Sequence, residues 1–190
     1  MSLNWSTDLE LNAVPEINLA VPEIFHSIEK TGLSTWLRES PSVFGFYFFL
    51  TFHTIGMALL VGGSAVIDLR ILGAAPSIPL KPLKGLFNIM WAGLATSVTT
   101  VSFLLFAYPT KEFTNPDFYV KLMFIALGVI TMQKINSEVF GDPSLSESEM
   151  IAKGKALATW SLFFWIGVVT LGRLLPETAI YGTFGRPAAG

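Results

Sequence analysis

Cysteine is absent from this 190-residue chain, and charged side chains make up only 14% of it. Without cysteine, the chain can form neither a disulfide nor a thiolate metal site, and it has no thiol nucleophile. A soluble domain carries about 25% charged residues, so the small charged fraction indicates a protein embedded in a membrane. The net charge of −2 supplies no basic field, and nucleic acid is therefore not expected as a partner.

Long apolar stretches dominate the rest of the sequence. A helix needs about 20 apolar residues to cross the hydrocarbon core of a bilayer, and residues 40–67 contain no Asp, Glu, Lys or Arg. Three later stretches are similarly apolar, so the pattern predicts four transmembrane helices. Their expected bounds are about 41–72, 86–108, 117–139 and 145–175.

Short connections between these spans predict an all-α fold, an antiparallel up-and-down four-helix transmembrane bundle over residues 40–176. The pattern "SLSE" at 144–147 matches a capping box, which would pair Ser144 with Glu147 at the start of the last helix. Residues 177–190 are expected to form a C-terminal tail.

Residues 1–39 precede the bundle and differ from it in composition. They begin with an acidic segment that lacks the basic region and apolar run of a secretory signal peptide, so membrane insertion is expected to rely on the spans. The following sequence "EIFHSIEKTGLSTWLRES" mixes apolar and charged residues and is broken at Gly32. This pattern predicts an amphipathic segment that lies at the membrane interface.

The basic residues indicate how the bundle is oriented in the membrane. Lys and Arg number six on the side of the termini and six on the side of the opposite loops. Those on the loop side lie in compact loops next to the spans, where the positive-inside rule gives basic residues most weight. This distribution favours cytoplasmic loops and places both termini in the periplasm.

One histidine, His53, stands inside the apolar sequence "FYFFLTFHTIGMALLVGG" at 46–63. An ionisable residue within a membrane span is a functional candidate. One interpretation makes His53 an axial ligand of b-type haem, with Gly56 one turn away and Gly63 about two turns further leaving a bare helix face for the porphyrin edge. In the other, His53 is hydrogen-bonded to a neighbouring helix and the glycines serve close helix packing. The sequence leaves both interpretations open.

A haem held by His53 needs a second axial ligand and cations for its propionates. His26, the only other histidine, is the candidate if the interfacial segment folds into the bundle. Two methionines are further candidates for that position, Met57 and Met132. Lys121 and Arg173 lie on the terminal side of the membrane, where they could neutralise the propionates. The candidate haem site consists of His53, His26, Gly56, Arg173 and Lys121, with the iron on His53.

Other polar residues in the spans have structural explanations. The sequence "TSVTTVS" at 96–102 could bond a quinone or a propionate, but such hydroxyls more often bond a carbonyl one turn earlier or a neighbouring helix. Asp68 and Arg70 are expected to be interface anchors, each with a local ion pair. The spans contain no nucleophile–base pair, phosphate loop or carboxylate cluster, so no enzymatic activity is expected.

Four stretches of the chain carry a family resemblance: "WLRESPSVF" (36–44), "FHTIGMALLVGGSAVIDLRILG" (52–73), "NPDFYVKL" (115–122) and "WSLFFWIGVVTLGR" (160–173). In them the chain resembles an uncharacterised family of small bacterial four-helix membrane proteins, distantly similar to bundles of the cytochrome b561 and copper-resistance D type. The resemblance implies a common fold over about 36–175 and a bacterial inner membrane location. It also implies a histidine in the first span, matched by His53, and one late in the third, where this chain has Gln133 and Lys134.

These observations favour a non-catalytic accessory or structural subunit that packs in a larger membrane complex. Its expected partners are lipids and other membrane subunits, in a homo- or hetero-oligomer, and 16 Phe and 5 Trp supply aromatic helix faces for them. The alternative is a b-type haem electron carrier in a quinone-linked chain, with His53 as axial ligand. Transport is disfavoured, because the spans lack paired charges and broken helices.

Overall fold

The computed structural model describes residues 23–39, 45–113 and 116–181. Within these ranges the regular elements are helices, and there is no strand. They are α1 (Glu23–Glu29), α2 (Gly32–Glu39), α3 (Phe46–Ile71), α4 (Leu86–Ala107), α5 (Pro109–Phe113), α6 (Pro116–Lys134) and α7 (Glu147–Tyr181). A 3₁₀ turn, Lys81–Gly85, leads into α4, and a π-helical segment, Ile135–Val139, continues α6.

Four helical segments among the described residues are long and apolar enough to cross a membrane. They are Phe46–Ile71, Lys81–Ala107, Pro116–Val139 and Glu147–Leu174, of 24 to 28 residues each. At about 1.5 Å per residue, each exceeds the roughly 30 Å of a bilayer's hydrocarbon core. The predicted all-α bundle of four spans is confirmed, and the chain is a multi-pass membrane protein by the length and composition of its helices.

The helix ends differ from the expected bounds in two places. The first span begins at Phe46 instead of about 41, and residues 40–44 lie outside the described part of the chain. At the C-terminal end of the bundle, the backbone of α7 stays helical to Tyr181. The helix therefore extends into the segment 177–190, which was expected to be a tail. Most of the predicted N-terminal extension, residues 1–22, also lies outside the described residues.

The start of α7 is displaced by two residues from the predicted capping box. Ser146 forms the box, because its backbone N–H and its hydroxyl both donate to the Glu149 carboxylate, at 2.9 and 2.6 Å. Ser144 bonds within the preceding turn instead. The predicted pairing of Ser144 with Glu147 is wrong, since Glu147 forms an ion pair with Arg70 of α3.

The four spans pack as two hairpins, α3–α4 and α6–α7, which are joined by the packing of α3 against α7. α3 packs along both α4 and α7, and α6 packs along α7. The core shared by the spans is apolar and includes the buried residues Leu60, Ile67, Met90, Met132, Ile135 and Trp165. Because α3 and α7 hold the hairpins together, their contact faces decide which side chains lie at the centre of the bundle.

The loop end of the bundle is closed by contacts between the hairpins. The rings of Phe87 and Phe140 meet edge to face with centroids 5.5 Å apart. Lys84 donates to the Phe140 carbonyl and Lys81 to the Pro143 carbonyl, each at 3.0 Å. Both lysines extend from the first hairpin to carbonyls that follow the π-helical segment of the second, and they fasten the hairpins where the connecting loops meet.

At the terminal end, the predicted amphipathic segment docks on the bundle as α1 and α2, which are separated just before Gly32. Leu37 of α2 is buried. Arg38 donates to the Ala107 carbonyl at 3.0 Å and to the Glu29 carbonyl at 2.8 Å. The last carbonyls of a helix have no partner within it, so Arg38 satisfies the end of α4 and fixes α2 against it.

Candidate functional site

His53 lies on α3, seven residues after Phe46 and therefore about 10 Å into the span from its terminal end. The ring is half-buried against α4, with Nδ1 3.2 Å from the Ser97 carbonyl oxygen and 3.5 Å from Thr100 Oγ1. A carbonyl can only accept, so this contact requires a hydrogen on Nδ1. This geometry matches the interpretation in which His53 is hydrogen-bonded to a neighbouring helix.

Gly56, one turn from His53, is buried where α3 crosses α4. A Cβ atom at this position would stand 2.8 Å from the Gly93 carbonyl oxygen and 2.9 Å from the Ser97 nitrogen. Gly93 approaches α3 equally closely, since its own Cβ would stand 2.7 Å from the Gly56 carbonyl oxygen. The two glycines therefore bring the backbones of α3 and α4 into contact. That contact leaves no space for a porphyrin edge at Gly56.

Lys121 and Arg173, the predicted propionate partners, differ in their exposure. Lys121 of α6 is half-buried, and its Nζ lies 3.5 Å from the position that a Cβ at Gly172 would occupy. Lys121 is close enough for an electrostatic interaction between its positive charge and His53, and Glu112 interacts electrostatically with Lys121. Arg173 is exposed. The structure thus brings Lys121 toward His53 and leaves Arg173 on the surface.

The described residues provide no second axial ligand opposite His53. Met57 follows His53 by four residues on the same helix face, so the two side chains cannot reach an iron from opposite sides. Met132 is fully buried 16 residues after Pro116, about 14 Å deeper in the membrane than His53. The side chain of His26, on α1, lies outside the described part of the structure.

Two other features of the described residues also argue against a haem bound by His53. Gln133 and Lys134, at the position where the resemblance implies a second histidine, are exposed. A cavity of about 350 Å³ lies between α1, α4 and α5. Its lining is mostly apolar, with aromatic rings from Phe25, Phe106 and Phe113, and does not include His53. The described residues therefore do not fit a haem held by His53.

The hydroxyl-rich stretch of α4 bonds to backbone carbonyls. Thr96, Thr100 and Ser102 donate to carbonyls one turn earlier on their own helix, at 2.7 to 2.9 Å. Ser97 crosses to α3 and donates to the His53 carbonyl at 3.4 Å. These hydroxyls follow the structural explanation drawn from the sequence, and their bonds tie α4 to itself and to α3.

Asp68 and Arg70 correct the expectation that both are interface anchors with local ion pairs. Arg70 is 5% exposed and pairs with Glu147, 77 residues away, while also donating to the carbonyls of Pro76 and Ile78. Asp68 is 0% exposed and forms no ion pair with a described residue. The register of α3 turns Asp68 toward α7 and the bundle core, whereas Arg70 turns toward the loop.

The polar group around Asp68 was not anticipated from the sequence. Ser64 Oγ lies 3.0 Å from Asp68 Oδ2 and 3.1 Å from Ser161 Oγ of α7. Ser64 and Asp68 are four residues apart, and such a spacing puts them on one helix face. That spacing inside an apolar span was the available signal, but the contribution of Ser161 depends on how α7 packs.

The class of the protein follows from these observations: it is a multi-pass helical membrane protein whose four spans form a bundle, with buried polar contacts between α3 and its two neighbours. Comparisons with protein-family models, with curated proteins and with solved structures find no match to this chain. The resemblance described from the sequence stays a prediction.

Proposed function

We propose that the protein is a non-catalytic integral membrane subunit, and that the outer face of α3 packs against a helix of another membrane protein. The observation that carries this proposal is a row of small residues on that face, which we call the α3 stripe. It consists of Thr51, Thr54, Ala58 and Gly62, all of them exposed. Small residues allow helix backbones to approach closely within a membrane. Because lipid is as apolar as the side chains, the hydrophobic effect contributes little there, and close packing drives helix association.

The polar atoms of the α3 stripe are compatible with a dry helix interface. The hydroxyls of Thr51 and Thr54 donate to the carbonyls of Tyr47 and Leu50, at 2.8 and 2.9 Å. A Cβ atom at Gly62 would have no neighbour within 4 Å, so the space beside it is open to a partner. The stripe spans 12 residues, about 16 Å along the helix.

The partners of the buried polar groups support the proposal that the subunit is non-catalytic. His53 donates to a carbonyl of α4, Arg70 pairs with Glu147 of α7, and Ser64 meets Ser161 of α7. Each contact joins two elements of the bundle. These groups therefore have structural partners of the kind that stabilise packing, as expected of a subunit whose task is assembly.

For the cellular setting, we propose the bacterial inner membrane, with the α3–α4 and α6–α7 loops in the cytoplasm. Lys81 and Lys84 lie beside the loop ends of the spans, where the positive-inside rule applies most strongly. The membership of the bacterial four-helix family implied by the resemblance is part of the same proposal.

The proposal predicts site-specific cross-linking through the α3 stripe. Because the chain has no cysteine, Ala58→Cys introduces a single thiol to which a photo-activated cross-linker can be attached in native membranes. We expect adducts from Ala58→Cys at a yield at least about tenfold above Ile130→Cys, an exposed position on α6. The adduct mass, read by electrophoresis and mass spectrometry, separates a second copy of the chain from a different subunit.

Substitutions at Gly62 provide a matched control for that experiment. Gly62→Ile should reduce the adduct yield of Ala58→Cys, since the larger side chain separates the backbones, whereas Gly62→Ala should leave most of it. Equal yields from Ala58→Cys and Ile130→Cys would overturn the proposal that this face is an interface.

The alternative function, a b-type haem electron carrier, makes a different spectroscopic prediction. The described residues offer His53 no partner ligand and no ring-sized space, so we expect no b-type band from the purified chain. The measurement is a reduced-minus-oxidised absorption spectrum with pyridine haemochrome quantification. A stoichiometric band that is lost in His53→Ala would contradict this expectation and would direct the search for the second ligand to His26.

A further inference from the structure

A compact polar group, which we call the Asp68 cluster, is enclosed in the apolar core between α3 and α7. It consists of Ser64, Asp68 and Ser161, none of which is more than 2% exposed. Asp68 lies 15 residues further along α3 than His53, about 22 Å closer to the loop end of the bundle. The cluster is therefore separate from the His53 contacts, and the inference drawn from it does not depend on the proposed function.

One oxygen of this group, Asp68 Oδ1, has no hydrogen-bond partner among the described residues. The other carboxylate oxygen, Oδ2, lies 3.0 Å from Ser64 Oγ, which in turn lies 3.1 Å from Ser161 Oγ of α7. Buried polar atoms are rarely left unpaired, so an ionised Asp68 would hold a charge that its surroundings only partly satisfy.

No cation of the described chain balances a negative charge at Asp68. Arg70, the nearest arginine in sequence, pairs with Glu147 and donates to two loop carbonyls. The hydrogen-bond partner of Asp68 is Ser64, and no charged residue of the described parts of α4, α6 or α7 forms an ion pair with it. An uncompensated carboxylate in such a core is far less stable than the neutral acid.

A metal ion does not fit the same donors. The described side chains offer one carboxyl group and two hydroxyls, whereas Ca²⁺ takes six to eight oxygen ligands and Mg²⁺ takes six. The described residues also contain no group of three or more His, Asp or Glu side chains that could hold a metal ion. A proton needs only one oxygen and one hydrogen-bond acceptor, and the cluster supplies both.

We propose that Asp68 is a proton-binding site inside the bundle, near its loop end, where the proton links α3 to α7. The carboxylate takes one proton from solvent, and the resulting Oδ2–H donates to Ser64 Oγ. Ser64 then donates to Ser161 Oγ, so the hydrogen bonds run from the acid on α3 to the hydroxyl on α7. Loss of the proton leaves a buried anion that is stabilised only if water or a cation enters between the two helices.

Infrared spectroscopy of the full chain in lipid nanodiscs tests the protonation state directly. We expect the carbonyl stretching band of a protonated carboxylic acid at neutral pH, and we expect Asp68→Asn to remove it. Glu138→Gln, which changes an exposed acid on the loop side, is the matched control and should leave the band in place. A neutral-pH spectrum without the band, or a band that persists in Asp68→Asn, would overturn the proposal.

Stability measurements provide a second test that does not rely on the spectrum. If folding takes up a proton at Asp68, the folding equilibrium constant falls about tenfold per pH unit, as pH rises through the range in which the unfolded chain is ionised and the bundle is protonated. Asp68→Asn should lack this component of the slope. Identical pH dependence in the wild-type chain and Asp68→Asn would contradict the proposal.

In Ser64→Ala, the acid loses its hydrogen-bond partner, so its infrared band should shift instead of vanishing. An unshifted band would refute the proposed chain of hydrogen bonds.

Discussion

Gly56→Ala is expected to lower the free energy of unfolding by about 2 kcal/mol, because an added methyl group has no space where α3 crosses α4. The Cβ atom would stand within 3 Å of backbone atoms of both Gly93 and Ser97. Backbone atoms at a helix crossing cannot rotate aside as the end of a side chain can, so the two helices must separate. The stability of the purified chain in mixed micelles, followed by circular dichroism during denaturant titration, measures the effect.

Gly62→Ala is the matched control on the same helix. A methyl group at Gly62 meets nothing within 4 Å, and alanine has the higher helix propensity, so this substitution should leave the stability of the isolated chain unchanged or raise it by up to about 1 kcal/mol. Equal destabilisation by the two substitutions would show that the crossing does not account for the loss at Gly56, because helix propensity favours alanine at both positions. A neutral Gly56→Ala would mean that α3 and α4 are not held in backbone contact.

Arg70→Met is expected to destabilise the bundle by about 3 kcal/mol, although the replacement is similar in length and apolar. The guanidinium of Arg70 is buried and joins three elements: the end of α3, the loop carbonyls of Pro76 and Ile78, and Glu147 in the first turn of α7. Methionine can fill much of the volume, but it donates no hydrogen bond. Thermal unfolding in detergent, together with protease sensitivity of the 72–80 loop, measures the loss.

Glu147→Gln distinguishes the ion pair from the other bonds of Arg70. The Glu147 side chain is 43% exposed, so solvent screening weakens the pair, and the expected loss is only about 1 kcal/mol. Arg70 keeps its two carbonyl acceptors in that variant. If Glu147→Gln costs as much as Arg70→Met, the ion pair carries the stabilisation and the loop contacts contribute little.

His53 illustrates which part of a candidate site could be read from the sequence. A histidine within an apolar span was identifiable, as was the choice between a haem ligand and a hydrogen-bonded packing residue. The partner was not identifiable, because the Ser97 carbonyl belongs to another helix 44 residues away. A carbonyl acceptor has no signature in the sequence, since every residue carries one.

The capping box and Asp68 illustrate where local patterns failed. Two overlapping Ser-x-x-Glu patterns precede α7, and the choice between them depends on Glu147 pairing with Arg70 of another helix. Asp68 lies near the end of an apolar run, where a charge is typical of a membrane interface. Its burial follows from the rotation of α3 against α7, which puts Ser64 opposite Ser161.

The sequence by itself determined the number of spans, their approximate bounds and the all-α class, because helix length and apolar composition are local properties that the thickness of a bilayer constrains directly. It also identified Gly56 as a small residue one turn from His53, without deciding between a porphyrin edge and a neighbouring helix as its contact. Only the tertiary structure decided that Gly56 contacts α4 while Gly62 faces outward, and that Asp68 is enclosed. Those outcomes depend on the rotation and neighbours of each helix, which are fixed by contacts between residues far apart in the chain.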